Sequence, residues 1–180
     1  MQEDFIERAS ELGAQVHVVG SGDEAVAEII DVFRSSTSLR VVVSPDLGEL
    51  REPVVESLVR AGAEVVDGDT AEALALADLG VTRATLGIAE TGSIVVAGNE
   101  FVPRLSTMLP LVHVAVLDRD DVVASLDEAG EYLRRITLQP NGRQIRYASF
   151  VSGPSRTSDV EKTLTVGVHG PGALHIILLP

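Results

Sequence analysis

Glu90, Thr91 and Gly92 interrupt the stretch IAETGSIVVAGNE, which is otherwise apolar and strand-like on either side of them. A carboxylate beside a glycine at a strand junction suits a nucleophile or a general base, because glycine lets a substrate approach the backbone closely. A glutamate that bonds to a neighbouring loop, or pairs with Arg104, is the structural alternative, since buried acids need a partner.

A second candidate is the run from Ser152 through Gly153, Pro154, Ser155, Arg156, Thr157, Ser158 and Asp159 to Glu161. Its hydroxyls, one guanidinium and loop amides can cradle a phosphate or carboxylate, which asks for several donors and a bidentate cation. A turn leading into a capping box of Ser158 with Glu161 accounts for Ser158 but leaves Ser155 and Arg156 without a reason.

Gly20-Ser21-Gly22-Asp23-Glu24-Ala25 fits the G-x-G-x-x-A spacing of a dinucleotide turn, with Asp46 following 24 residues after Gly22. Ser21 and Glu24 also spell a capping box, and Asp23 and Glu24 bring negative charge to the place a pyrophosphate would occupy. The capped turn is the better reading. Of the four histidines, His17, His113 and His175 fall within strands, as hydrogen-bonded core or edge residues do. His169 instead lies in the turn VHGPG and joins the site candidates. No pair has zinc-like spacing, and neither a G-x-S-x-G elbow nor a P-loop is present.

These residues need a scaffold. The first 80 residues alternate amphipathic helical patterns with short Val-rich strands, the sequence form of repeated βα units and a mainly parallel sheet. Helices are expected at 2–12, 23–34, 52–61 and 70–79, the last stopping at Gly80 as a C′ residue. Strands are expected at 15–19, 39–44 and 64–67, with Val41 to Val43 buried on both faces. Beyond Gly80 the rhythm changes. Strands at 83–89 and 93–97 form an antiparallel pair or one bent strand. A short helix at 104–109 ends at Pro110, a strand covers 112–118 and a helix 120–136. Strands at 145–151, 164–168 and 174–179 close the chain. No linker or repeat marks a boundary, so residues 1–180 read as one domain.

Charge and composition exclude several functions. The net charge of -13 repels a phosphate backbone and argues against nucleic acid. There are 17 acids against 5 bases in residues 1–80, and 10 against 9 thereafter, so an anionic ligand is expected in the second half. The absence of cysteine removes disulfides, thiolate zinc sites and cysteine-ligated iron–sulfur clusters. Apolar runs are too short for membrane insertion, and the acidic N-terminus is unlike a signal peptide; the expected location is the cytoplasm.

The order of the segments AETGSIVV, RLSTMLPLVHVAVL and SGPSRTSDVEKTLTVGVHGPGALHIILL resembles the LUD-domain family of bacterial lactate-utilisation proteins, over roughly residues 78–180 and more loosely before them. The resemblance implies a three-layer α/β/α fold with a mainly parallel sheet, similar to the sugar-phosphate isomerase and CoA-transferase group. It implies a part in oxidising L-lactate to pyruvate beside iron–sulfur partner proteins. The residues carried over are Glu90, Thr91, Gly92, Arg104, Leu105, Pro110, His113, Gly153, Pro154, Ser155, Thr157, Asp159, Glu161, Gly167, His169, Gly170 and Pro171. Some relatives add cysteine-rich segments; this chain has none and starts close to its first βα unit, as a compact member or one lacking an N-terminal extension.

CoA-transferases of similar fold use a glutamate followed one residue later by a glycine, which Glu90-Thr91-Gly92 matches in form. Glu90 is therefore expected at a cleft mouth facing residues 152–159, with Arg104 and His169 at the rim. The leading expectation is an accessory or regulatory subunit that binds a phosphate-, carboxylate- or CoA-type ligand through Arg104, Arg156 and their neighbours, with no cofactor ligated by its own cysteines. A free-standing enzyme acting on a CoA ester or sugar phosphate through Glu90 is the main alternative. A nicotinamide-dependent dehydrogenase using the Gly20 turn is a third.

Overall fold

In the computed structural model, residues 1–66, 70–138, 144–158, 164–166 and 170–180 are described. Six parallel strands form the central sheet in the order β1 (Gln15–Val18), β12 (Ala173–Leu179), β7 (Val112–Asp118), β4 (Leu79–Arg83), β2 (Arg40–Val43) and β3 (Glu64–Val65). The Val41–Val43 run is buried on both faces as its unbroken apolar character requires. Alternate side chains point opposite ways. Val41 and Val43 meet α2 (Gly22–Ser35) and α3 (Arg51–Arg60) in one core cluster, while Val42 meets α4 (Ala71–Leu74) and α5 (Phe101–Ser106) in another.

The second face of the sheet also carries α1 (Gln2–Glu11) and a smaller sheet. That sheet has the order β8 (Val122–Val123), β5 (Leu86–Ile88), β6 (Ser93–Gly98) and β9 (Tyr147–Val151). Phe5 and Ala9 of α1, Ile94 of β6, and Ala115, Leu117, Ile176 and Leu178 of the large sheet share one core. The outer face of the smaller sheet is closed by α6 (Leu126–Thr137), whose Ala129, Tyr132 and Leu133 pack on Leu86, Ile88 and Val95. β10 (Arg156–Ser158) and β11 (Leu164–Val166) form a separate antiparallel pair. The expected three-layer α/β arrangement is present, with the smaller sheet added on one side. β5 and β6 settle the open choice at 83–97 as an antiparallel pair, while the strand expected at 83–89 is cut to Leu86–Ile88 because Arg83 ends β4.

Two expected helices come out shorter. The helix expected at 70–79 is only α4, and Gly80 is not its C′ residue but lies within β4. A Cβ at Gly80 would stand 2.4 Å from the Ser106 carbonyl oxygen, so glycine is there to let α5 sit against the strand. The helix expected at 120–136 begins only at Leu126, because 119–121 form a 3-10 turn and Val122–Val123 pair with β5. In both cases a pairing distant in sequence overrides local helical periodicity. The segment 156–158, read as a loop, pairs as β10.

Candidate functional site

The structure distributes the predicted residues over separate places. Glu90 is exposed and begins no ladder. Its Oε2 accepts the Leu126 amide at 2.9 Å, at the N-terminus of α6, and its own amide donates to the Ala124 carbonyl at 3.0 Å. The carboxylate therefore meets the positive end of a helix dipole. It lines a cavity of about 480 Å³ with Met1, Asp4, Glu7 and Arg8 of the N-terminal helix region. Gly92, at φ 64°, is needed where it stands: a Cβ would come within 2.4 Å of the Ala9 amide nitrogen. Thr91 Oγ1 is buried without a hydrogen-bond partner among the described residues.

Arg104 is elsewhere. It lines a cavity of about 640 Å³ with Asn99, Glu100, Phe101, Arg146 and Tyr147, so the expected Glu90–Arg104 neighbourhood is replaced by two separate cavities. The Arg104 guanidinium lies over the Tyr147 ring at 4.5 Å from its centroid, a cation–π contact that limits where the charge can go. Asn99 organises the rim: its Oδ1 accepts the Arg146 amide at 2.8 Å and its Nδ2 donates to the Gln144 carbonyl at 2.6 Å. Two cations on one rim, beside amide and aromatic groups, suit an anion. Neither Asn99 nor Arg146 stands out in the sequence; only the β6–α5 turn meeting the start of β9 brings them to Arg104.

In the 152–159 loop, Ser152 Oγ bonds to Ser93 Oγ at 2.7 Å, the Ser155 amide donates to the Pro171 carbonyl at 2.8 Å, and Gly153 at φ 89° sits against the Leu12 carbonyl. Gly153 is thus a packing glycine. Arg156 and Thr157 have their backbones in β10, while Asp159 and His169 lie outside the described residues. Among the described residues, Ser152 bonds to β6 and Ser155 to Pro171, while Glu90's carboxylate goes to α6.

The Gly20 turn is a reciprocal cap: the Glu24 amide donates to Ser21 Oγ at 3.2 Å, and Glu24 Oε2 accepts the Gly20 amide at 2.7 Å. Three histidines are bonded as expected. His113 is fully buried and shares a hydrogen bond of 2.8 Å with Thr82 Oγ1; His17 bridges Glu28 at 2.6 Å and His175 at 3.1 Å. Burial lowers the pKa of His113 to about 4; burial, and then the charge of His17, do the same at His175.

Sequence reading passed over the carboxyl-terminal ends of the parallel strands. Arg83 at the end of β4 pairs with Asp118 at the end of β7, and the Arg83 amide donates to Asp46 Oδ1 at 3.3 Å. Burial raises the Asp46 pKa against that hydrogen bond, and burial followed by the Asp118 charge raises Asp121. The available signal was a charged residue closing a buried strand, Arg83 at the end of β4 and Asp118 at the end of β7. In the sequence Asp46 is marked only by its place 24 residues after Gly22.

Among the described residues no helix is long and apolar enough to cross a membrane. The family model of the LUD domain matches residues 2–179. A lactate utilization protein C from Shouchella clausii is 33% identical over 96 residues, 53% of this chain and 41% of that protein. Proteins of the same name from Anoxybacillus flavithermus and Bacillus subtilis are 31% and 29% identical, each over 57% of this chain and over 44% and 42% of their own lengths. The matched part thus spans less than half of these relatives. The crystal structure of a DUF162 family protein from Deinococcus radiodurans has the same fold, with a TM-score of 0.69 over 99% of this chain and 95% of that one at 20% identity. With its family match running almost from end to end, the chain belongs to the LUD domain family.

Proposed function

We propose that this chain serves lactate utilisation as an accessory or regulatory subunit, holding a small anionic ligand at the Arg104 cavity beside partners that carry the electrons. The relatives' shared name supports the process. The observation that carries the anion is the pairing of Arg104, fixed over Tyr147, with Arg146 on one cavity rim. Lacking cysteine, the chain relies on other proteins for thiolate-bound iron–sulfur clusters, and these are the partners proposed. The cytoplasm is the compartment in which such an assembly would work.

Tagged purification from lactate-grown native cells tests this reading. Lactate-dependent dye reduction in the eluate, together with cysteine-rich chains, is expected, and Arg104→Ala should lower that activity without unfolding the protein. A chain that elutes alone and inactive would count against it. The rival, an enzyme using Glu90 on a CoA ester or sugar phosphate, draws on the cavity that Glu90 lines. Asp4 and Glu7 on the same wall oppose a polyanionic substrate there. A melting-temperature rise with CoA or a sugar phosphate, abolished in Glu90→Gln, would favour the rival.

A further inference from the structure

At the carboxyl-terminal edge of the parallel sheet, β2 and β4 are neighbours whose onward connections leave on opposite faces. From β2 the chain goes outward through α3 on one face to β3. From β4 it passes to the smaller sheet on the other face before returning to β7. The strand ends must part there, which is the topological reason open α/β sheets hold ligands in such crevices. The crevice exists here, with a volume of about 420 Å³, within the ordinary range for small-molecule sites. Gly22 after β1, Gly48 and Glu49 after β2, Arg83 ending β4, Asp118 ending β7 and Leu179 ending β12 all line it.

Three features decide what would fit. The Arg83–Asp118 pair is neither buried nor fully solvated, with side-chain exposures of 33% and 27%, so a cation and an acceptor stand together on the wall. Gly48 has φ 60°, and nothing lies within 4 Å of where its Cβ would be, which leaves main chain bare on the facing side. Among the described residues Arg83 is the guanidinium on the crevice wall; Glu49 and Asp118 line the crevice with it and Asp46 and Asp121 lie close to it, so a phosphate or a dicarboxylate would meet net repulsion. A molecule with one carboxylate that also brings a donor for Asp118 satisfies both signs.

We propose that this crevice is a ligand site separate from the Arg104 cavity, taking a small monocarboxylate with a hydrogen-bond donor on the adjacent carbon. Arg83 receives the carboxylate, Asp118 accepts from the donor, and Leu179 packs on the alkyl group. Hydroxy and amino acids share this chemistry. The assignment rests on the crevice's own groups and does not depend on the lactate reading.

The test is calorimetric titration of the whole protein with L-lactate, L-alanine, propionate and pyruvate. L-lactate or L-alanine should bind, and propionate and pyruvate, which lack the donor, at least tenfold more weakly. Arg83→Gln should weaken binding at least tenfold, and Asp118→Ala, which removes the acceptor, should erase the preference over propionate. Because Arg83 and Asp118 also hold strand ends, amide NMR of the unaltered protein supplies a second reading, with ligand-induced shifts concentrated at Gly22, Gly48, Glu49 and Leu179. Absence of binding by all four probes, equal binding of propionate, or shifts elsewhere would overturn the site. Binding lost in Arg104→Ala but kept in Arg83→Gln would also overturn it, while leaving the Arg104 reading in place.

Discussion

The amino ends of α2 and α6 carry the same local device in different surroundings. At α2, Ser21 accepts the Glu24 amide and Glu24 accepts the Gly20 amide; at α6, Ser125 accepts the Glu128 amide and Glu128 accepts the Ala124 amide. At α6 a third acceptor then arrives from 36 residues earlier in the chain, when Glu90 takes the Leu126 amide. At α2 the corresponding turn lies on the wall of an open crevice instead. One helix end is closed by the protein's own carboxylate, and the other faces space in which a ligand can sit. A capping box therefore says where a helix starts, and nothing about whether that start is occupied.

The largest way to break the comparison is at the turn that delivers Glu90. Gly92→Ala combines a left-handed backbone with overlap against α1, and should cost about 4 kcal/mol in urea unfolding. Gly48→Ala on the crevice side has open space around its Cβ and should cost only the backbone strain, about 2 kcal/mol. Similar losses at the two glycines would mean that Gly92 is not held against α1.

Acid probes the sheet that both helix ends share. His113 and His175 have pKa values near about 4 when folded, against 6.5 in the unfolded chain. Between those values the unfolded chain takes up protons that the folded chain does not. Stability is therefore highest above pH 6.5, falls as the pH drops towards 4, and levels off below, by on the order of 3 kcal/mol per ring. Unfolding measured across that window should show a shallower slope in His113→Gln, whatever that variant's absolute stability.

Cap removal sharpens the comparison at smaller scale. Ser21→Ala and Ser125→Ala should each cost about 1 kcal/mol, seen as lower urea midpoints. Glu90→Gln keeps an acceptor for Leu126 but removes the charge at the α6 terminus, a loss of about 0.5 kcal/mol that shrinks in high salt. A much larger, salt-independent loss would show that Glu90 does more than close the helix.

Much of the scaffold could be read along the chain. The Val-Val-Val run demanded burial on both faces, and the alternation of periodicities announced βα units. Elements failed where distant partners intervened: Gly80 looked like a helix stop until α5 was seen resting on it, and the residues before Leu126 looked helical until Val122–Val123 paired with β5. The site was less legible for the same reason. Arg104 was named from the sequence, but its companions Asn99 and Arg146 reach it only through the join of β6, α5 and β9.

Residue type and local spacing were enough to specify what acts within a few residues: the cap at Ser21, the apolar strand cores, and the histidines set within strands. They also carried the overall charge asymmetry and the lack of thiolate ligands, because neither depends on conformation. Tertiary structure alone decided that Glu90 closes α6, that Gly92 and Gly153 receive α1, and that Arg83 and Asp118 face one crevice. Those pairings join residues tens of positions apart, and parallel strand order, which short-range periodicity does not encode, determines which of them meet.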